Sequence, residues 1–314
     1  FELGIPVTAD ISIDAGFRSA EYSTGAETDS SKIGAYWSVN DNVSLRASFQ
    51  TAQRHANISE LYSAVSDGLV DLDNDPCSIQ QNGTPATATQ AQCALTGLPA
   101  SLYNTDLNSP ADQYNIKGGG NPKVAPEESE SLTIGAVITP ESVPGLTLTI
   151  DYFDITVEDG IGTVSAKTAL DKCISTGSAQ YCSLINRQAG TGSLWLSGGY
   201  ISQQLTNIGE ETTSGVDVIF DYSFETSYGP VEVEGVTTFL DTYDITELPG
   251  AAPIACSGNW GGSCGKNPLP ETSGKYKATL STEYDTDVSL GLRYLGETTD
   301  LNSNKIDFDA TTYI

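Results

Sequence analysis

Apolar residues in this chain recur at every second position, in one segment after another. Leu132, Ile134, Ala136 and Ile138 alternate with Ser131, Thr133, Gly135 and Val137. Leu146, Leu148, Ile150 and Tyr152 then alternate with Thr147, Thr149 and Asp151. A helix repeats its apolar positions every three to four residues, so a period of two over this length predicts strands. Pro140, Pro144 and Gly145 predict the turn of a hairpin between them, Pro fixing φ and Gly accepting positive φ. After Tyr152 the apolar parity flips to Phe153, Ile155 and Val157. Either a bulge restores the face, or an apolar band ends here in an aromatic rim. Asp154 and Glu158 read as the start of a wet loop and favour the rim.

The same alternation predicts strands near 8–22, 33–39 and 43–49. The 131–138 and 146–157 hairpin follows, then strands near 216–224, 231–239, 276–284 and 288–294, and a further strand starts near Ile306. Ile219 breaks the alternation within its strand. Short turns at 40–42, 228–230 and 285–287 alternate with long connections at about 55–127, 159–200 and 245–270. The second long connection contains a short helical candidate at 164–173. Opposite the apolar positions stand polar residues, many of them charged, which would be costly in a dry core. Short turns at one end, long connections at the other, aromatic residues ending an apolar face and a polar reverse face are the marks of an outer-membrane barrel. The expected fold is therefore all-β, a partial transmembrane antiparallel β-barrel occupying 1–314. The competing fold, a soluble β-sandwich, requires Leu148, Phe220 and Leu292 to be buried together between two stacked sheets.

Composition agrees with many short strands: 38% hydrophobic residues, with 31 Gly, 14 Pro and 15 Tyr among 314. No run of about 18 apolar residues is present, which excludes a transmembrane helix but not a barrel strand. The net charge of -27, from 41 acids against 14 bases, argues against a nucleic-acid partner, since phosphate contacts need Lys and Arg. Acidic long loops explain the charge most simply through solubility; capture of cations by the outer loops is the sharper alternative.

Six cysteines fall as three close pairs in the long connections: Cys77 with Cys93, Cys173 with Cys182, and Cys256 with Cys264. Their spacing is not that of a zinc site and the one histidine, His55, is far away, so three local disulfides in an oxidising compartment are expected. His55 itself has no evident co-ligands and reads as a surface or loop-packing residue. Asp71, Asp73 and Asp75 begin like a calcium loop, but Pro76 stands where glycine is required and Asn82 where glutamate closes the loop. Asp151, Asp217, Asp221, Glu232, Glu234 and Glu283 could supply an acid/base pair for glycoside hydrolysis. Scattered over several strands, they read better as a polar wall. No Ser-His-Asp arrangement, cofactor loop or metal cluster is present, so neither an enzyme nor a resident cofactor is expected. Trp195, Trp260, Tyr103 and Tyr114 lie in the long connections, where aromatic rings suit capture of sugars or aromatic chelators. Packing that anchors the loops is an equal alternative.

Several segments carry a resemblance. Asn121-Pro122, Pro126-Glu127, Ser129, Ser131, Thr133 and Gly135, followed by Asp151 to Ile155, resemble paired strands of TonB-dependent outer-membrane receptors; Val124 replaces the usual leucine. Within LRASFQTAQRHANISELY, residues 45–62, Arg54, Asn57, Ile58, Glu60 and Leu61 fit a second segment of the family, while Gln53 and His55-Ala56 depart from it. Asp75-Pro76-Cys77 and TSGVD at 213–217 are similar to two more. The resemblance implies a barrel of about 22 strands occluded by an N-terminal plug, set in outer-membrane lipid of a Gram-negative bacterium. It further implies TonB as partner through a region outside this chain, and import of a ferric siderophore, cobalamin or oligosaccharide. A non-transporting adhesin barrel and a secreted sandwich hydrolase are the alternatives. Opening at Phe1 in mid-pattern and ending as a strand begins, the chain reads as an internal fragment whose open edges would be unsatisfied in lipid.

Overall fold

Each alternating segment up to Tyr294 is a strand in the computed structural model, which describes residues 1–248, 250–301 and 306–314. The chain forms two units. One comprises Phe1–His55, Pro126–Gly160 and Gly209–Ile314, the other Ala56–Ala125 and Ile161–Ile208. The first unit is a single antiparallel meander. Its strands are β1 (Glu2–Pro6), β2 (Ile11–Glu21), β3 (Glu27–Asn40), β4 (Val43–Arg54), β5 (Glu127–Ile138), β6 (Leu146–Glu158), β7 (Glu210–Thr226), β8 (Gly229–Thr246), β9 (Thr272–Thr282), β10 (Thr286–Leu295) and β11 (Thr311–Tyr313). Each pairs with the next, and a short strand, Ile254–Ala255, adds to the end of β8. The sheet runs from β1 to β11 without closing.

Differences from expectation are local. β1 was not anticipated. β6 continues in unbroken register to Glu158, so no bulge follows Tyr152 and the loop begins at Asp159 rather than at Asp154. Register shifts fall instead opposite Ser214 and Gly215, on β8, and between Ser38 and Asn40 on β3. The last strand begins at Thr311, not near Ile306, where Phe308 makes only an isolated bridge to Thr298. The turn at 139–145 needs Gly145: its φ is +85°, and a Cβ there would collide with the carbonyl oxygen of Ser223.

Register sorts the faces. Val43, Ile138, Leu148, Phe220, Gly235, Tyr276 and Leu292 stand opposite one another across the sheet in one row. Ile13, Ala35, Ala47, Ile134, Tyr152, Val216 and Phe239 form another row on the same face. From Val216 to Phe224 this band covers about 9 residues of β7, enough for a tilted barrel strand to cross a bilayer. Among the described residues, no apolar side chain of the eleven strands is buried. Ile33 is 56% exposed, Ile134 52% and Leu290 63%. Leu148, Phe220 and Leu292 are each only partly covered, so the sandwich reading fails on its own criterion. An apolar face this wide is far larger than soluble monomers leave in water.

The second unit holds the dry cores that the sheet lacks. Its four-stranded sheet runs in the order Ile185–Asn186, Tyr200–Gln204, Gln113–Gly119, Ser66–Asp71, with Tyr200–Gln204 parallel to Gln113–Gly119. Four helices accompany it: α1 (Ile58–Tyr62), α2 (Gln90–Leu95), α3 (Ala166–Thr176) and α4 (Ala179–Cys182). α1 and α2 start in capping boxes, Asn57 with Glu60 and Thr89 with Gln92, and α3 ends on Gly177 at φ +68°. α3 lies where the sequence predicts it, three residues longer at its C-terminus. Cys77, Ala88, Cys93, Leu98 and Leu107 form a core against which Leu102, Tyr103 and, from the other insertion, Ile174 pack. Two segments that look like separate loops in the sequence thus share one interior.

Candidate functional site

On the reverse face of the sheet, polar groups are matched across strands. The row Tyr36, Arg46, Gly135, Asp151, Asp217, Thr238, Ser273 brings two carboxylates directly opposite each other. Each is compensated. Arg46 reaches over Gly135 and donates from Nε to Asp151 Oδ1 at 2.8 Å and from Nη2 to Oδ2 at 2.5 Å, while Thr238 donates to Asp217 at 2.6 Å. Gly135 is required between the partners, because a Cβ there would occupy the position of the Asp151 carboxylate. Lys32 pairs with Asp14 at 3.0 Å and Lys277 with Glu234 at 3.4 Å. Asp221, Glu232 and Glu234 form the only group of three or more metal-capable side chains among the described residues, their carboxylate oxygens within 4.8 Å of one another. Five of the six carboxylates weighed for glycoside hydrolysis are therefore spread over this wall, with Asp151, Asp217 and Glu234 already engaged, while Glu283 lies in the turn between β9 and β10.

Toward the long connections the apolar band gives way to acids on the same face. The row Phe17, Ser31, Thr51, Glu130, Thr156 borders a cavity of about 690 Å³. Asp29, Glu128, Glu130, Glu158 and Glu210 line it, without a basic residue. Such a margin accepts cations and hydrogen-bond donors. No sequence signal locates it, because the acids come from four strands. His55 lies at the same end, its Nε2 2.9 Å from Thr24 Oγ1 and its ring 4.7 Å from that of Tyr22, a loop-packing position.

The second unit collects three of the four aromatic candidates. Trp195 is half-buried and donates from Nε1 to the Leu107 carbonyl at 3.1 Å; Tyr103 is half-buried and donates to the Ala88 carbonyl at 3.0 Å. Tyr114 is wholly buried, and burial, with the charges of Asp75 and Asp112 adding to it, pushes its hydroxyl up to about 12. Trp260 belongs to the first unit, where it donates to the Ile306 carbonyl at 3.1 Å and its ring lies 5.0 Å from Phe308. Disulfides join Cys77 to Cys93, Cys173 to Cys182 and Cys256 to Cys264. Asp75, the last acid of the calcium-like run, is fully buried in an ion pair with Arg187, whose side chain is 2% exposed. Arg187 donates from Nη1 and Nη2 to the two carboxylate oxygens at 2.6 and 3.0 Å, and from Nε to Thr96 at 2.7 Å. Sequence reasoning missed this pair, since 112 residues separate its members.

The sheet has no dry face, its reverse face is charged, and the two long insertions each carry a disulfide. The family model described as TonB dependent receptor-like, beta-barrel matches residues 1–313. The chain belongs to that family. No curated protein matches it in sequence. Among solved structures it is similar to a mutant of the ferric enterobactin receptor PfeA of Pseudomonas aeruginosa in complex with enterobactin (12% identity, TM-score 0.58, 99% of this chain and 35% of that one). It is also similar to the siderophore receptor PirA of Acinetobacter baumannii (12%, 0.55, 99% and 37%) and to the copper transporter OprC (11%, 0.51, 99% and 37%). At such identities the likeness is one of fold. The chain spans about a third of the length of these relatives, a share that fits an unclosed part of a receptor barrel.

Proposed function

We propose that the protein to which this barrel segment belongs is an outer-membrane receptor that imports a scarce, bulky solute, with energy delivered by TonB. One observation carries the reading: the sheet exposes an apolar band of membrane height on one face and a wall of cross-strand ion pairs on the other. That combination is stable when lipid covers the first face and water or a plug covers the second. TonB would be contacted through a region outside this chain. The solute belongs to the class of ferric siderophores, cobalamin or oligosaccharides, in keeping with the siderophore receptors among the solved relatives. The partly exposed rings of Trp195 and Tyr103 in the insertion unit, and of Trp260 in the sheet unit, are the ligand contacts we favour; Tyr114 has no exposed surface. No catalytic step is assigned.

The test is uptake by cells expressing the full-length protein, offered labelled ferric siderophores, cobalamin and oligosaccharides, with and without functional TonB. Uptake that vanishes without TonB is the expected result. Uptake indifferent to TonB overturns the energising partner, and binding without uptake favours a non-transporting adhesin. A full-length protein released from membranes by alkaline carbonate would overturn the barrel.

A further inference from the structure

Among the described residues, the polar wall has one cross-strand pair in which two bases face each other. Lys275 on β9 stands directly opposite Arg293 on β10. Their outer neighbours in the same row are Val236 on β8 and Tyr313 on β11. The row therefore reads Val236, Lys275, Arg293, Tyr313 and contains no carboxylate. Like charges in direct cross-strand opposition destabilise a sheet. Acids are not scarce here, since they outnumber bases by 41 to 14. Nevertheless neither base makes an ion pair or hydrogen bond among the described residues, whereas Lys32, Arg46 and Lys277 on the same face are each paired. The nearest carboxylates by register are occupied, Asp217 by Thr238 and Glu234 by Lys277.

The pair also lies deep in the wall. The Lys275 row lies between the rows of Val218 and Phe220, in the middle of the apolar band. An ionisable pair at mid-membrane depth is costly unless it faces water or a partner of opposite charge. Between the two bases the wall opens a depression of about 230 Å³, also lined by Thr238 and Ser273. The Ser273 hydroxyl, one row toward the long connections, has no hydrogen-bond partner among the described residues. Two cations and a hydroxyl able to donate, around a small depression whose lining holds no carboxylate, are the complement of an oxyanion.

We propose that Lys275, Arg293 and Ser273 form an oxyanion-binding site, for a carboxylate or phosphate group, at mid-height on the polar wall. The oxyanion has two possible sources: a soluble solute, or an acidic side chain from another part of the full-length protein. The site stands on register, charge and the depression between the bases, and survives failure of the import reading.

The experiment is thermal unfolding of the full-length protein in detergent with inorganic phosphate as probe, for wild type, Lys275→Gln, Arg293→Gln and Arg293→Glu. Lys277→Gln is the control, a base on the same face and strand already paired with Glu234. If the site is open to soluble anions, phosphate raises the wild-type midpoint, each Gln variant loses about ten-fold in phosphate affinity, and Arg293→Glu does not respond. If an acidic side chain of the protein already fills the site, phosphate has no effect and each Gln variant lowers the midpoint more than Lys277→Gln does. Arg293→Glu, which supplies an internal partner to Lys275, separates loss of the site from failure to fold. Simple repulsion predicts the opposite sign: phosphate without effect, and both Gln variants as stable as wild type or more so. That outcome overturns the proposal.

Discussion

Arg187→Met should open the insertion unit without disturbing the sheet. The side chains of Arg187 and Asp75 are 2% and 0% exposed, so methionine would leave a carboxylate stranded in a dry interior. Of its hydrogen bonds, only that from the Cys77 amide at 2.9 Å would remain. Removing one partner of a buried ion pair costs about 3–5 kcal/mol. Asp75→Leu combined with Arg187→Met removes the orphaned charge. It leaves only neutral losses, the Cys77 amide, the Thr96 hydroxyl and the Gly192 carbonyl that accepts from Arg187 at 2.9 Å, each about 1–3 kcal/mol at most. The double variant should therefore be more stable than Arg187→Met alone. The assay is hydrogen exchange of the full-length protein, followed in peptides covering 66–119 and 185–204. A loss of 3 kcal/mol accelerates exchange there by about 100-fold or more, while peptides from 131–158 keep the wild-type rate. Acceleration below about five-fold, or a double variant less stable than the single, would refute the claim that this pair closes the unit.

Three further outcomes test the rest. Leu148→Arg, at the middle of the apolar band, should cost about 2–4 kcal/mol when the full-length protein folds into lipid vesicles, whereas Thr149→Arg on the reverse face should cost much less; equal costs would contradict the facing of the sheet. Gly135→Ala should lower the urea midpoint by an amount equivalent to about 1–3 kcal/mol, because its methyl displaces the Asp151 carboxylate from Arg46, and adding Asp151→Gly should recover part of the loss. Tyr114 holds its proton more tightly folded, to about 12, than unfolded, so its contribution to stability is complete below about pH 10 and fades as pH rises toward 12. Tyr114→Phe should remove that part of the alkaline decline in unit stability, measured by hydrogen exchange corrected for its intrinsic pH dependence; an unchanged decline would show that Tyr114 does not titrate with folding.

How much of this was legible in the sequence depended on the solvent each part faces. A strand with lipid on one side and polar surroundings on the other must alternate, so β2 to β10 could be read directly, with Leu132 to Ile138 and Leu146 to Tyr152 the clearest case. β1 alternates too, as Phe1, Leu3, Ile5 and Val7, but five residues with Gly4 and Pro6 are too few to separate from a loop. Cysteine spacing sufficed for the disulfides because each closes a short loop, 16, 9 or 8 residues apart. The interior of the insertions was invisible for the converse reason. Its contacts join residues far apart, as in Asp75 with Arg187 and Ile116 beside Ile201, and its strands are too short for a period to register.

The same division explains why the two units are held together by different means. The apolar side chains of the meander face outward, so they cannot build a core between them; its cohesion rests on the backbone ladder, with lipid supplying what a dry interior supplies elsewhere. The insertions have no such medium. Each alone is short and polar, and a small core is only marginally stable. Together they pack Ile174, partly buried, against the core of Cys77, Ala88, Cys93, Leu98 and Leu107 and pair Gln113–Gly119 with Tyr200–Gln204. Two disulfides and one dry ion pair then limit the chain entropy that this small core would otherwise fail to offset. An extracellular, oxidising site suits that arrangement. It follows that reducing agent should loosen the insertion unit at temperatures where the sheet, which has no cysteine in its eleven strands, is still folded; hydrogen exchange that accelerates equally in both would show that the sheet depends on the insertions for its stability.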